Sequence, residues 1–107
     1  MDFKNTIKSI CDVIICHSFY VVDIYVFGSA LKNFGSANDI DILVMGDSVD
    51  GLLLKGKLRD LGLFIPVHVI SMTRTEEYEL NFIKSVGASL LVVDKSVEVD
   101  FVYDKLY

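Results

Sequence analysis

The chain has 107 residues, 52% of them hydrophobic, and a formal net charge of −5 at pH 7. This length suits one compact domain, residues 1–107, and the acidic balance argues against a broad electrostatic surface for DNA or RNA. No apolar run approaches the roughly 18–20 residues that cross a bilayer, and the polar N-terminus is unlike a signal peptide, so we expect a cytoplasmic protein. The high apolar content predicts exposed apolar surface, as in a homo-oligomer or a protein with a binding partner.

The first element is an amphipathic helix. Apolar residues recur at the 3, 4 spacing of a helix from Phe3 to Ile14, and we predict that this helix begins near Asp2 or Asn5. Cys11 and Cys16 are five residues apart and therefore lie on different sides of the helix. That spacing predicts neither a disulfide nor a zinc site, and we interpret both cysteines as small buried residues.

A strand and a glycine turn follow. The apolar run Val21 to Phe27 predicts a strand that is covered on both faces. Gly28 lets the backbone bend sharply and approach a ligand, and Ser29 can cap a short helix, Ser29 to Phe34, whose N-terminus attracts phosphate. Lys32 lies one helical turn further and could steady a triphosphate, although a solvated surface lysine is the commoner role. We predict that Gly28, Ser29 and Lys32 bind a nucleotide.

Two carboxylates come next, at Asp39 and Asp41. In the predicted strand Asp39 to Met45, residues two apart point to the same face, with backbones roughly 6.6 Å apart. Two such carboxylates repel each other unless a cation neutralises them, so the pattern predicts a site for divalent metal ions. The alternative interpretation is a polar loop with helix caps.

The second half of the chain predicts further helices and strands. Asp47 and Ser48 can cap a helix that runs to Gly62 and places leucines on one face: Leu54, Leu58 and Leu61. Thr73 and Glu76 have capping-box spacing before a helical stripe that ends at Gly87 and that we interpret as core: Tyr78, Phe82, Ile83 and Val86. Two short strands are then expected, at 89–93 and 97–101.

Gly28, Ser29, Asp39 and Asp41 form the pattern Gly-Ser-x9-Asp-x-Asp after an apolar strand. This pattern resembles the nucleotidyltransferase superfamily of the polymerase beta fold, and the minimal nucleotidyltransferases are the most similar members. The resemblance runs from the first helix to roughly Val93 and fades over residues 94–107. It implies an α/β (α+β) fold, in which helices flank a mixed sheet.

The resemblance also implies an activity, the transfer of a nucleoside monophosphate from a nucleoside triphosphate, and we expect AMP from ATP with a hydroxyl as the acceptor. Gly28 and Ser29 would hold the terminal phosphates, and Asp39 and Asp41 would bind Mg²⁺. Many such proteins are antitoxins that pair with an all-helical toxin of the HEPN type, and some modify a tyrosine of that partner with AMP. The expected partners are therefore a nucleoside triphosphate and a helical HEPN-type protein or a second copy of the chain.

One position departs from the family pattern. The family places a third carboxylate in the middle of a later strand, whereas the matching segment here, Pro66 to Ile70, has His68. An imidazole can ligate a metal such as Mn²⁺ or accept a proton, but Mg²⁺ prefers oxygen ligands. Three roles are therefore open for His68: a metal ligand, a catalytic base or a bystander. A catalytically weak or inactive antitoxin or regulatory subunit that acts by protein binding is the alternative to an enzyme.

Overall fold

The computed structural model describes residues 3–17, 23–33, 38–63 and 65–92. The predicted strand at 97–101 lies outside these ranges. Within them the helices and strands are α1 Phe3–Cys16, β1 Asp23–Phe27, α2 Ser29–Lys32, β2 Ile40–Met45, α3 Gly51–Arg59, β3 Val67–Met72, α4 Arg74–Leu80, α5 Phe82–Val86 and β4 Ser89–Val92. No helix in this described part of the chain is long and apolar enough to cross a membrane.

The four strands form one sheet in the order β3-β2-β1-β4. β2 pairs with β3 in parallel, whereas β1 pairs with both β2 and β4 in the antiparallel direction. The sheet is therefore mixed, as predicted. Its register places Phe27, Asp41 and His68 side by side on three neighbouring strands.

The core lies between one face of the sheet and the helices α1 and α3. Ile40 and Ile42 of β2 are fully buried there, together with Ile7 and Ile10 of α1 and Leu54 of α3. Because side chains alternate along a strand, Asp41 faces the other side of the sheet. The predicted amphipathic first helix is confirmed, since Ile7, Ile10 and Ile14 of α1 belong to this core.

The two cysteines of α1 differ in exposure. Cys11 is buried in the core, but Cys16 is exposed, so the prediction that both are buried is wrong for Cys16. Five residues rotate a helix by about 140°, which carries the second thiol away from the buried face.

Helix α3 begins and ends at other residues than predicted. Its N-cap is Asp50, not Asp47 or Ser48 as predicted. The Asp50 carboxylate accepts a hydrogen bond of 3.0 Å from the N–H of Leu53 in the first turn. Ser48 has a φ of 58°, a left-handed turn conformation that a helix cannot include. The helix ends before Gly62, and Leu61 is therefore 37% exposed and does not continue the buried face.

The predicted helix after Thr73 is two short helices. The capping box of Thr73 and Glu76 is present and begins α4. Asn81 then adopts a left-handed conformation, φ 53° and ψ 41°, which separates α4 from α5. This break interrupts the predicted apolar stripe, so Tyr78 is 89% exposed and Val86 is 37% exposed, and the prediction that both belong to the core is wrong.

An ion pair between an exposed arginine and a buried aspartate connects α4 to the start of β1. Nη1 of Arg74 donates to Oδ2 of Asp23 at 2.9 Å, and the Asp23 side chain is only 9% exposed. The hydrogen bond and the charge of Asp23 raise the pKa of Arg74 above its ordinary value. Burial, followed by the charge of Asp23, raises the pKa of the neighbouring Tyr25.

Candidate active site

The three predicted metal ligands meet at one end of the sheet. Asp39 directly precedes β2, Asp41 is the second residue of β2, and His68 is its register partner on β3. Nδ1 of His68 lies 3.4 Å from Oδ1 of Asp41 and 3.6 Å from Oδ2 of Asp39. One ligand atom from each of the three residues lies within 4.8 Å of the others, a spacing that could hold a metal ion.

Asp41 is the carboxylate that this environment affects most clearly. Burial raises its pKa above the ordinary value, and the negative charge of Asp39 raises it further, while His68 lowers it by charge and hydrogen bonding. The protein therefore holds Asp41 in a place where its ionised form is disfavoured. A bound cation would reverse this effect, because an opposite charge within a few ångströms stabilises a carboxylate.

The Gly28 turn adjoins one of these carboxylates, that of Asp41. Gly28 has a φ of 79° and a ψ of −158°, a conformation that is essentially restricted to glycine. A Cβ at this position would overlap Oδ2 of Asp41. The glycine is thus required both by its backbone angles and by the closeness of the carboxylate.

The predicted helix after the turn is shorter than expected. α2 spans Ser29–Lys32 and does not reach Phe34, and Asn33 ends it by donating its N–H to the Ser29 carbonyl at 3.0 Å. Ser29 is the first helical residue and not the cap, which is Gly28. The Lys32 side chain lies outside the described part of the structure, so its nucleotide-binding role stays a prediction.

A family model of the nucleotidyltransferase domain matches residues 11–103, a span that contains the glycine turn, both aspartates and His68. The chain belongs to the nucleotidyltransferase domain family. The prediction of a minimal nucleotidyltransferase domain with a mixed sheet and flanking helices is confirmed. The family supports nucleotidyl transfer from a nucleoside triphosphate, generally with divalent metals. A comparison with curated proteins gives no match.

The candidate ligand set of this nucleotidyltransferase domain is two carboxylates and one imidazole. The side chains of His68, Asp39 and Asp41 are 61%, 33% and 23% exposed, so an ion held by them would also face solvent and could take further ligands from a substrate. Oxygen ligands suit Mg²⁺ and Mn²⁺, and the imidazole nitrogen favours the transition metal of the two. The residues present therefore fit a divalent metal ion.

Two aromatic residues beside the carboxylates were not predicted as part of the site. Phe27 pairs directly with Asp41 across β1 and β2, and its ring meets that of Phe82 edge to face, with centroids 5.3 Å apart. This contact holds α5 next to the Gly28 turn of the nucleotidyltransferase domain. The aromatic residue directly before Gly28 is visible in the sequence, but its ring partner Phe82 depends on how α5 folds back.

Proposed function

We propose that the protein transfers AMP from ATP to a hydroxyl of a partner protein, with divalent metal ions held by Asp39, Asp41 and His68. One observation carries the proposal: the three candidate ligand atoms lie within 4.8 Å of one another, and the Gly28 turn lies directly beside Asp41. The turn is so close that a Cβ at position 28 would overlap the Asp41 carboxylate. Such closeness is expected if a metal–triphosphate complex has to fit against the turn and both carboxylates at once.

Each part of the site has a distinct role in this reaction. Asp39 and Asp41 supply the negative charge that binds the metal, and Gly28 leaves room for the triphosphate to approach the backbone. Asp39, Asp41 and His68 would hold a divalent ion, which would supply Lewis-acid activation of the attacking hydroxyl and offset the charge of the departing pyrophosphate. The hydroxyl oxygen forms a bond to the α-phosphorus, the bond from that phosphorus to the pyrophosphate oxygen breaks, and the hydroxyl proton passes to solvent.

The surface of the protein supports a partner protein as the acceptor. Large apolar side chains are exposed on α3 and α4, among them Leu52 at 83%, Tyr78 at 89% and Leu80 at 62%. Exposed apolar surface of this kind commonly marks a binding site for another protein. A helical HEPN-type protein in a toxin–antitoxin pair is the partner that we propose, with a second copy of this chain as the competing outcome.

The test is metal-linked binding and transfer. Thermal melts of the apo protein, and of the protein with ATP and millimolar Mg²⁺ or Mn²⁺, measure binding, because a ligand that binds only the folded state raises Tm. ATP labelled at the α-phosphate, incubated with a candidate partner, then measures transfer as label on that protein. Label that appears with wild type and not with Asp39→Asn supports the proposal. No metal-linked rise in Tm with either ion would refute it.

A partner-binding protein without catalysis is the second candidate. The observation in its favour is the imidazole of His68 where the family pattern has a third carboxylate, which leaves two carboxylates for Mg²⁺ in this site. A stable complex that neutralises the partner, formed equally by wild type and by Asp39→Asn without any label transfer, would favour this candidate.

A further inference from the structure

Strand β3 is an edge of the sheet, and no strand in the described part of the chain pairs with its outer side. The carbonyls of Pro66 and Met72 accept hydrogen bonds of 2.9 Å from residues at the two ends of β2. Backbone groups alternate between the two sides of a strand, so those of Val67, Val69 and Ser71 face away from β2. An extended peptide can pair with such an edge through its own backbone.

A pocket of about 660 Å³ lies against this edge. It is formed by α3, the segment between α3 and β3, and β3 itself. Much of its lining is apolar, including Leu58, Leu63, Ile65, Val67 and Val69. This volume lies in the range of pockets that bind ligands or anchor side chains, and its apolar wall suits apolar side chains.

Two cations also line the pocket, Lys55 and Arg59. They are four residues apart on α3 and therefore lie on one side of the helix, one turn from each other. Neither forms an ion pair with another residue in the described ranges. In a chain with a net charge of −5, two such cations beside an apolar pocket favour an acidic ligand.

His68 connects the pocket with the candidate active site. Its side chain lines the pocket, and its Nδ1 lies 3.4 Å from Oδ1 of Asp41. A ligand along β3 therefore passes within one side-chain length of the metal-binding carboxylates. Since β3 runs from the site toward Met72, the residues of that ligand would follow the edge away from the site.

We propose that the outer edge of β3 and this pocket form the acceptor surface, and that the acceptor is an extended acidic segment of a protein. Its backbone pairs with β3, its apolar side chains enter the pocket, and an acidic side chain binds Lys55 and Arg59. A hydroxyl side chain then lies beside His68, where its oxygen can attack the α-phosphorus and release pyrophosphate. The transfer step rests on the proposed function, whereas peptide binding does not require it.

Selection from a library of random short peptides on the immobilised protein tests the surface. The expected consensus combines acidic, apolar and hydroxyl residues. Selected peptides, resynthesised with a fluorescent label, are then titrated by polarisation without nucleotide or metal. We expect the double variant Lys55→Glu, Arg59→Glu to bind them about tenfold more weakly or worse, because two attractive charges become repulsive.

Lys57→Glu is the matched control, because Lys57 is exposed on the same helix and does not line the pocket. It should bind the peptides as wild type does. Ser71→Pro should abolish binding by removing an outward N–H, while Ser71→Ala should retain it. Circular dichroism melts verify that each variant is folded.

The proposal is overturned if no peptide is enriched, if the consensus is neutral or basic, or if the double variant and Lys57→Glu bind equally. Inorganic pyrophosphate bound through Lys55 and Arg59 without any enriched peptide would instead assign the pocket to a small anion. The wild-type Tm rise with ATP and metal is measured on the same preparation. A normal rise without peptide binding rejects the acceptor surface alone, whereas peptide binding without the rise rejects the proposed function.

Discussion

The carboxylate of Asp41 occupies the space into which a Cβ at position 28 would project. Gly28 directly follows β1, and Asp41 is the second residue of β2. The pairing of Phe27 with Asp41 brings the two residues together. The turn that would receive the triphosphate and the carboxylate that would receive the metal are thus in direct contact. A substitution at position 28 would therefore displace the Asp41 carboxylate, and a larger side chain at position 41 would press on the turn.

Gly28→Ala should lower stability and abolish nucleotide binding. The added methyl group adds strain at a φ of 79° and also displaces the Asp41 carboxylate, which together should cost about 2–3 kcal/mol. Gly62→Ala is the matched control, since Gly62 also has a positive φ, 66°, but nothing lies within 4 Å of its Cβ position. That control should cost about 1 kcal/mol and leave nucleotide binding intact. Urea melts and ATP titrations measure both; equal losses in the two variants would contradict the contact.

Asp41→Asn should stabilise the metal-free protein and remove its metal-linked rise in Tm. The folded pKa of Asp41 is raised by burial and by the charge of Asp39, so its ionised form costs stability, and the amide relieves that cost and raises Tm. The gain should be full above the raised pKa, shrink as pH falls through it, and vanish below the ordinary value of 3.8. Melts in chelator across acidic to neutral pH measure it. A variant less stable than wild type at neutral pH would argue against charge repulsion at this site.

Substitutions of His68 should change the metal preference. With aspartate the site has three carboxylates, so His68→Asp should raise Mg²⁺-dependent binding and transfer, whereas His68→Ala should weaken Mn²⁺ binding about tenfold by removing an imidazole ligand. His17→Ala is the control at the chain's other histidine. Titration of each protein with both ions, read by Tm, gives the comparison. Identical behaviour of wild type and both His68 variants would make His68 a bystander.

Arg74→Met should destabilise the fold without affecting the candidate metal site. The substitution removes a 2.9 Å hydrogen bond to the buried Asp23 carboxylate, which should cost about 1–3 kcal/mol. Lys84→Met, at an exposed position on α5, should change stability by less than about 0.5 kcal/mol. A double-mutant cycle with Asp23→Asn should give a coupling of about 1 kcal/mol or more. A coupling near zero would mean that the pair contributes nothing to stability.

The purified protein should self-associate or need a partner to remain monodisperse, because apolar side chains are exposed on two helices. Leu52 and Leu53 are on α3, and Tyr78 and Leu80 are on α4. Replacing one of these pairs by serine should reduce the apparent mass without lowering Tm, since the side chains are already exposed. Light scattering measures the mass. A strictly monomeric wild type that binds no helical partner would contradict this expectation.

Local sequence patterns predicted the parts of the site that lie close together in the chain. Gly28, Asp39 and Asp41 could be recognised from their spacing and from the apolar strands around them, and the first helix from its periodicity. His68 required the family resemblance, because its place beside Asp41 depends on the pairing of β2 with β3.

Long-range contacts could not be predicted from these patterns. Asp23 and Arg74 are 51 residues apart, and neither residue's neighbours indicate the ion pair. The break at Asn81 also escaped prediction, because an asparagine within an apolar periodic stretch is compatible with a continuous helix. Its left-handed conformation separates α4 from α5, and Phe82 at the start of α5 packs against Phe27.

Because Asp41 pairs with His68, the three candidate metal ligands come together only when β2 and β3 are correctly aligned. A shift of one residue between β2 and β3 would turn the imidazole to the opposite face of the sheet and leave the aspartates alone. The unfolded chain contains the two aspartates as neighbours, but only the correctly aligned sheet adds the third donor. A metal that requires all three would therefore bind after the strands have aligned, and would then oppose any slippage between them.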